Sequence, residues 1–261
     1  MINAERILQD TYPDLKLGKN NALAIKALKK LLHEDDFNAV IRKNQHLRGF
    51  AFLDKLLSYF KFNYQVDNNS FNNIPSEGRL LIVANHPIGT LDGLAIIKLI
   101  RSVRPDVRIM ANRVLTHMEP LESVFFPVDV LSDKKQLKNL YKIMIDSLER
   151  EEAIIIFPAG EVSRITPKGV RDGVWQNSFL KLARKTRSPI LPIHIKAKNS
   201  ALFYSLSMIY KPLATLWLVQ EMFNKQNQTI VFNVGAPIPY TAIEHSFYSK
   251  ICCSRKTRRI P

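Results

Sequence analysis

Residues 80–93 read Leu-Leu-Ile-Val-Ala-Asn-His-Pro-Ile-Gly-Thr-Leu-Asp-Gly: an apolar run, the pair Asn85-His86, a Pro-x-Gly turn, then Asp92 at the start of a second apolar stretch. A short apolar run bounded by turn residues predicts a buried strand, and residues 91–103 behind it predict a helix. Strand, turn and helix in that order form the first unit of an α/β fold. Further apolar runs at 107–110, 153–157, 190–195 and 229–234 predict strands, and 134–149 and 177–186 predict the helices between them.

Upstream, residues 1 to about 62 carry no strand pattern and read as helical. Leu28, Leu31 and Leu32 line one side against Lys26, Lys29 and Lys30, and Phe50, Leu53, Leu56, Leu57 and Phe60 recur at helical spacing beside Arg48, Lys55 and Lys61. A basic amphipathic helix with aromatics can lie in a membrane interface. It can equally pack on a core with its lysines in solvent, and both readings stay open. The polar stretch NNSFNNIPSEG, 68–78, marks a loop. The organisation expected is an N-terminal helical region over 1–66, membrane association being one of its readings, an α/β domain over 67–248, and a basic tail over 249–261. That tail, SKICCSRKTRRIP, holds five basic residues and no acid; it is a solvated end or a contact for anionic lipid.

The whole chain has 38 Lys and Arg against 23 Asp and Glu, a net charge of +15. An anionic partner follows, either nucleic acid or an acidic membrane surface. No RNP aromatic pattern, zinc finger or GXXG loop occurs, which argues against nucleic acid. Cys252 and Cys253 sit together near the end, so the body of the chain has no disulfide framework, thiolate nucleophile or cysteine metal site. A reducing compartment is expected, and MINAERILQD lacks the pattern of an export signal. The apolar segment 201–223 is split by Lys211-Pro212, whereas a spanning helix needs ~20 uninterrupted apolar residues. It predicts helices that are either core or a membrane-dipping or acyl-channel element; Phe203, Tyr204, Tyr210 and Trp217 suit an interface and a core alike.

A hydroxyl attacks well only if its proton is removed as it does so, and imidazole, with a pKa of ~6.5 in model peptides, suits that task. His86 is therefore a candidate general base, with Asp92 holding Nδ1–H and leaving Nε2 free. The bland alternative makes His86 a polar filler and Asp92 a helix cap. A second stretch, AIIIFPAGEVSR at 153–164, again runs an apolar strand into a Pro/Gly turn and then offers Glu161, Ser163 and Arg164. Such a loop can bind a head group, backbone amides near Gly160 and Arg164 meeting oxygens and Glu161 meeting a hydroxyl or amine. Glu161 and Arg164 can instead form a surface pair. There is no H-E-x-x-H, P-loop, dinucleotide glycine pattern or G-x-S-x-G elbow, so no metal or cofactor is expected.

Strand–Asn-His–turn–Asp followed some seventy residues later by strand–Phe-Pro-x-Gly resembles the glycerolipid acyltransferases, which include the lysophosphatidic-acid and related lysophospholipid acyltransferases. Pro189-Ile190-Leu191-Pro192-Ile193 resembles their later proline-containing strand, and together the matches cover roughly residues 80 to 195. The resemblance implies a mixed central sheet flanked by helices. It puts His86 in the catalytic-base position and Asp92 in the orienting position, with Asn85 and Gly89 supporting them. Phe157, Pro158 and Gly160 take the acceptor-loop positions, and Pro192 the acyl-thioester site. The implied reaction moves an acyl group from acyl-carrier protein or coenzyme A to a lysolipid hydroxyl, at the cytoplasmic face of the inner membrane.

Three departures stand out. Five residues separate His86 from Asp92, where the family has four. The usual FPEGTRS loop reads FPAGEVS, with Ala159 in the glutamate position and Val162 in the arginine position. The intermediate motif survives loosely in FFPVDV, 125–130, with Val130 for arginine and Arg113 or Lys134 as substitutes. These departures resemble a bacterial branch that carries the haemolysin label, some of whose relatives are implicated in ornithine-lipid O-acylation; Glu161 would then meet an ammonium. A lipid-binding relative without turnover is the rival reading.

Overall fold

The computed structural model describes residues 1–11, 22–110, 118–126 and 134–243. Asp129 and Val130, Arg113, the side chain of Lys134, and the tail 249–261 with Cys252 and Cys253 lie outside the described residues. Helices α1 (Ala4–Thr11), α2 (Ala22–Leu31), α3 (Glu34–Lys43) and α4 (Gly49–Tyr59) precede β1 (Asn63–Val66) and the short α5 (Asn68–Phe71). Then come β2 (Leu80–Ala84), α6 (Thr90–Arg101), β3 (Val107–Met110), a 3-10 helix (Glu119–Val124), β4 (Phe125–Phe126), α7 (Lys134–Glu149) and β5 (Ala153–Ile156). The hairpin β6 (Arg164–Thr166) and β7 (Gly169–Arg171) follows, then α8 (Ser178–Thr186), β8 (Ile190–Lys196), α9 (Ala201–Ile209), α10 (Lys211–Asn224) and β9 (Thr229–Val234).

Seven strands form one sheet in the order β1-β9-β8-β2-β5-β3-β4, parallel throughout except between β8 and β9. This is the mixed sheet flanked by helices that the family resemblance implies. Its central strands, β2 and β5, are buried along their whole length because helices cover both faces, which is why they read as unbroken apolar runs. Leu80, Ile82 and Ala84 join the core beneath α1–α4, α6 and α10, while Leu81 and Val83 join the core beneath α7 and α8.

On α4, Phe52, Leu53, Leu56 and Leu57 are buried in the same core as the sheet. Phe50 lies beneath the Arg101 guanidinium at 4.8 Å, and Arg101 also pairs with Asp54 at 2.8 Å. Of the two readings of this helix, core packing describes where its apolar face lies. β1, assigned by sequence to the N-terminal region, joins the sheet beside β9, so residues before and after position 66 share one core. The 201–223 segment breaks at Tyr210, whose backbone is extended, and Pro212 sits in the first turn of α10, where its missing N–H does no harm. Among the described residues no helix is long and apolar enough to cross a membrane.

From β2 the chain crosses through α6 to β3 on one side, and from neighbouring β5 it crosses to β8 on the other. Connections that leave adjacent strands in opposite directions open a crevice at the strands' C-terminal ends. Asn85-His86 and Phe157-Pro158 emerge there. At the opposite end, Glu152 ties β3 to β5. Its carboxylate takes Arg108 at 2.6 Å and Arg150 Nε at 2.9 Å and accepts from Ser147 Oγ. Burial pushes the carboxyl up, but these three hydrogen bonds outweigh it and hold its pKa down at about 2. A depressed carboxylate stabilises the fold above its unfolded value of ~4.3 and loses that contribution as pH falls through the folded value. With solvent screening, Glu152→Gln is expected to cost about 1–2 kcal/mol at neutral pH. Urea unfolding of both proteins should show the gap shrinking as pH falls from about 4.5 toward 2; a gap independent of pH would refute this account.

Candidate active site

The site begins where β2 ends. Asn85 donates from Nδ2 to the Ile195 carbonyl at 3.0 Å and accepts from the Ile195 N–H at 2.7 Å, extending the β2–β8 ladder by a side chain. That clamp delivers His86 to the mouth of the crevice. Asp92, completely buried in the first turn of α6, lies with Oδ1 2.9 Å from His86 Nδ1, although the contact lacks the alignment of a straight hydrogen bond. Its other oxygen accepts the N–H of Ile88 at 2.9 Å and of Gly89 at 3.3 Å. The two oxygens of Asp92 thus face different groups: Oδ2 caps the helix and Oδ1 faces the imidazole.

The five-residue spacing closes because the turn passes through Gly89 at φ +96, a conformation that disfavours a side chain. A Cβ there would make only ordinary contact, 3.5 Å from Leu218 and Val162, so it is the backbone conformation that asks for glycine. The ring of Phe157 stacks on His86 at 4.0 Å and 16°, covering one face and fixing its plane. Among the described residues no group of three or more His, Cys, Asp or Glu side chains is placed to hold a metal ion.

The 157–164 loop is sewn to the His86 turn through backbone. Gly160, at φ +70, turns the chain so that its N–H meets the Phe157 carbonyl at 3.0 Å, Pro158 accepts from Gln176 N–H at 2.9 Å, and Ser163 N–H donates to the His86 carbonyl at 2.7 Å. The side chains depart from a head-group role. Glu161 pairs with Arg164 at 3.0 Å, and Arg164 also donates to Ser207 Oγ and lies 5.8 Å from the Phe203 ring, so it faces α9. This is the surface-pair alternative. Ser163 is buried with its hydroxyl given to Asp172, and Val162 packs with Phe203, Tyr204 and Ala214.

A cleft of about 640 Å³ is lined by Asn85, Pro87, Ser163, Asp172 and Trp175; it touches the chain on either side of His86 in sequence, while the imidazole itself, with Asp92 and Phe157, lies outside its lining. Its far wall is the end of β8 with Arg171: His194, Lys196 and Lys198. Pro192 is not on this wall; it packs against Gly235, whose N–H donates to its carbonyl at 2.9 Å. Sequence reasoning did not find Asp172, Trp175 or the basic residues of β8. The dipeptide Asp172-Gly173 and a loop tryptophan were the available signals. Asp172 is the junction of the two motifs, accepting from Ser163 Oγ, from His86 N–H at 3.3 Å and from Trp175 Nε1 at 3.0 Å.

Asp172→Ala strips an acceptor from three donors, whereas Ser163→Ala removes one donor. The first is expected to cost about 1–3 kcal/mol in urea unfolding and the second clearly less. Equal losses would show that Asp172 does not hold the two loops together.

A family model described as acyltransferase matches residues 6–256. The chain is 28% identical over 253 residues to the lyso-glycine lipid O-acyltransferase of Bacteroides thetaiotaomicron, covering 94% of this chain and 91% of that protein. It is 26% identical over 251 residues to the lyso-glycine lipid O-acyltransferase of Phocaeicola vulgatus, covering 94% and 88%. Among solved structures, the 1-acyl-sn-glycerophosphate (LPA) acyltransferase PlsC of Thermotoga maritima matches with a TM-score of 0.42 and 16% identity over 91% of this chain and 88% of that one. With the family match running over nearly the whole sequence and the two motifs meeting in one crevice, the chain belongs to the acyltransferase family, as an O-acyltransferase.

Proposed function

We propose that the protein transfers a fatty acyl group from a thioester to the hydroxyl of a lyso-amino-acid lipid whose head is a carboxylate, lyso-glycine lipid first. One observation carries this reading: a cleft that reaches Asn85 and Pro87, the chain neighbours of His86, has Arg171, Lys196 and Lys198 on its wall, and the acid that lines it, Asp172, already has partners. Glycine joined to an acyl chain through its nitrogen presents a single carboxylate, and guanidinium and ammonium groups suit it. The relatives' names point the same way. An ornithine head adds an ammonium that needs a free acid, and Glu161 is paired with Arg164. A phosphate head fits the family's arginine position, held here by buried Val162.

In this reading the acceptor oxygen attacks the thioester carbonyl while His86 Nε2 takes its proton. Asp92 Oδ1 holds Nδ1–H, keeping the tautomer and balancing the imidazolium that forms. The tetrahedral intermediate then expels the thiolate, which recovers the proton from His86, leaving ester and thiol. The donor is acyl-carrier protein or coenzyme A thioester; an acidic carrier protein suits a chain of net charge +15. Since both donors are cytosolic, the reading carries a peripheral position on the cytoplasmic face of the inner membrane.

The test offers radiolabelled acyl-carrier-protein and acyl-coenzyme A thioesters to the purified protein with lyso-glycine lipid, lyso-ornithine lipid and lysophosphatidate in parallel. Diacyl product should form fastest from lyso-glycine lipid, and His86→Ala should lower turnover by about 10²–10⁴. Arg171→Ala and Lys196→Ala are expected to raise the KM for the acceptor by roughly threefold to tenfold each, with kcat and donor KM little changed. A rise in donor KM instead would assign this wall to the thioester's phosphates. No product from any pair would favour a lipid-binding relative without turnover.

A further inference from the structure

The elbow between α9 and α10 carries an apolar surface that the acyl-transfer chemistry does not use. Met208 and Ile209 are 68% and 82% exposed, and Leu202, Tyr210 and Leu213 are exposed beside them. Leu202, Ser205, Met208 and Ile209 fall at helical spacing and form one outward stripe, while Phe203, Tyr204 and Ser207 face inward and are buried. Isolated surface apolar residues need no explanation, but a run of them gathered on one elbow marks an interaction site.

Charge says what kind of partner fits. From Ser200 to Leu213 the sequence contains no acid, and its charged residue is Lys211, exposed at the elbow itself. Tyr210 adds an aromatic ring with a polar tip, the type that settles at headgroup depth. The elbow is also joined to the cleft. Arg164 of β6 bonds Ser207 of α9, and Val170 of β7 both packs with the Phe203–Ala214 cluster and lines the cleft. Exposed Lys168, Arg171, Lys196 and Lys198 continue the positive surface on that side. Among the described residues the N-terminal helices offer no comparable stripe, since Leu23 and Tyr59 are exposed singly and the other large apolar side chains are largely buried in the core.

We propose that the α9–α10 elbow is a membrane-docking surface. Leu202, Met208, Ile209, Tyr210 and Leu213 enter the interfacial layer of an anionic bilayer, and Lys211 with the basic cleft wall meets its headgroups. The cleft is thereby held at the depth where a lysolipid presents its head. This use of the surface rests on the lysolipid reading, but docking itself is measured without turnover.

The test floats the full chain with phosphatidylcholine vesicles, with and without phosphatidylglycerol, comparing wild type, Met208→Glu/Ile209→Glu, the milder Met208→Ser/Ile209→Ser, and Leu23→Glu as an exposed control. Wild type should float with the anionic vesicles, and the glutamate pair should lower bound protein by about tenfold or more. The serine pair should fall between, and Leu23→Glu should match wild type. Circular dichroism confirms that each is folded, and turnover of a short-chain monomeric acceptor should be unchanged. Wild-type-like flotation of both paired variants overturns the proposal, as does loss of binding in Leu23→Glu alone. A wild-type dimer that the paired variants split, with flotation unaffected, gives the face to a second copy of the chain and also overturns it. If wild type acylates nothing yet the flotation pattern holds, the catalytic reading fails and the docking surface stands.

Discussion

Everything in the crevice depends on one carboxylate kept out of water. Asp92 has no solvent contact, and an ionised carboxylate in that position is unfavourable by several kcal/mol unless its oxygens are satisfied. The start of α6 meets that demand with the N–H groups of Ile88 and Gly89, donors that the helix would otherwise leave unpaired, and with the positive end of its dipole. His86 Nδ1 stands 2.9 Å from the remaining oxygen, close but without the alignment of a straight hydrogen bond. The turn from 86 to 92 has little freedom once those contacts are made: it must pass through a positive φ at Gly89, and the ring must lie where Phe157 can cover it. Strand end, helix start and imidazole orientation thus follow from the burial of a single acid.

The central strands and the His86–Asp92 pairing were legible in the sequence because each rests on local signals. β2, β5 and β8 are short apolar runs ending at turn residues, and the carboxylate lies within one helical turn of the turn it caps. β1 was not legible: Asn63–Val66 has the alternating half-exposed pattern of an edge strand, and its pairing with β9 spans most of the chain. The role of Asn85 was equally hidden, since it depends on Ile195, which lies 110 residues away. Pro192, assigned to the acyl site by resemblance, packs against Gly235, and β8 reaches the cleft through the later residues His194, Ile195 and Lys196. Asp172 escaped notice because its meaning comes from three donors on separate segments.

The two ends of the sheet divide the work. Glu152 and its arginines hold β3 to β5 at the N-terminal ends, away from the chemistry. At the C-terminal ends, Asn85 is held by its own side chain on Ile195, whereas the loops are joined by backbone hydrogen bonds, the His86 carbonyl to Ser163 and Pro158 to Gln176. Such contacts tolerate many side chains. The loops can therefore keep their shape while the acceptor-facing residues vary, which lets FPAGEVS replace the family's usual loop without loss of the crevice.

That replacement also ties the loop to the elbow. The turn at Gly160 sends residue 162 inward against Phe203, Tyr204 and Ala214, so an apolar side chain there becomes part of the floor under α9. The nearest arginine, Arg164, lies on β6, where its guanidinium is held by Glu161, by Ser207 and by the face of Phe203. A cation that could have met a phosphate in the cleft instead braces the helix that carries Met208 and Ile209. One local change thus does two things: it leaves the loop's arginine engaged by Glu161 and Ser207, and it fixes the apolar elbow to the hairpin that lines the cleft.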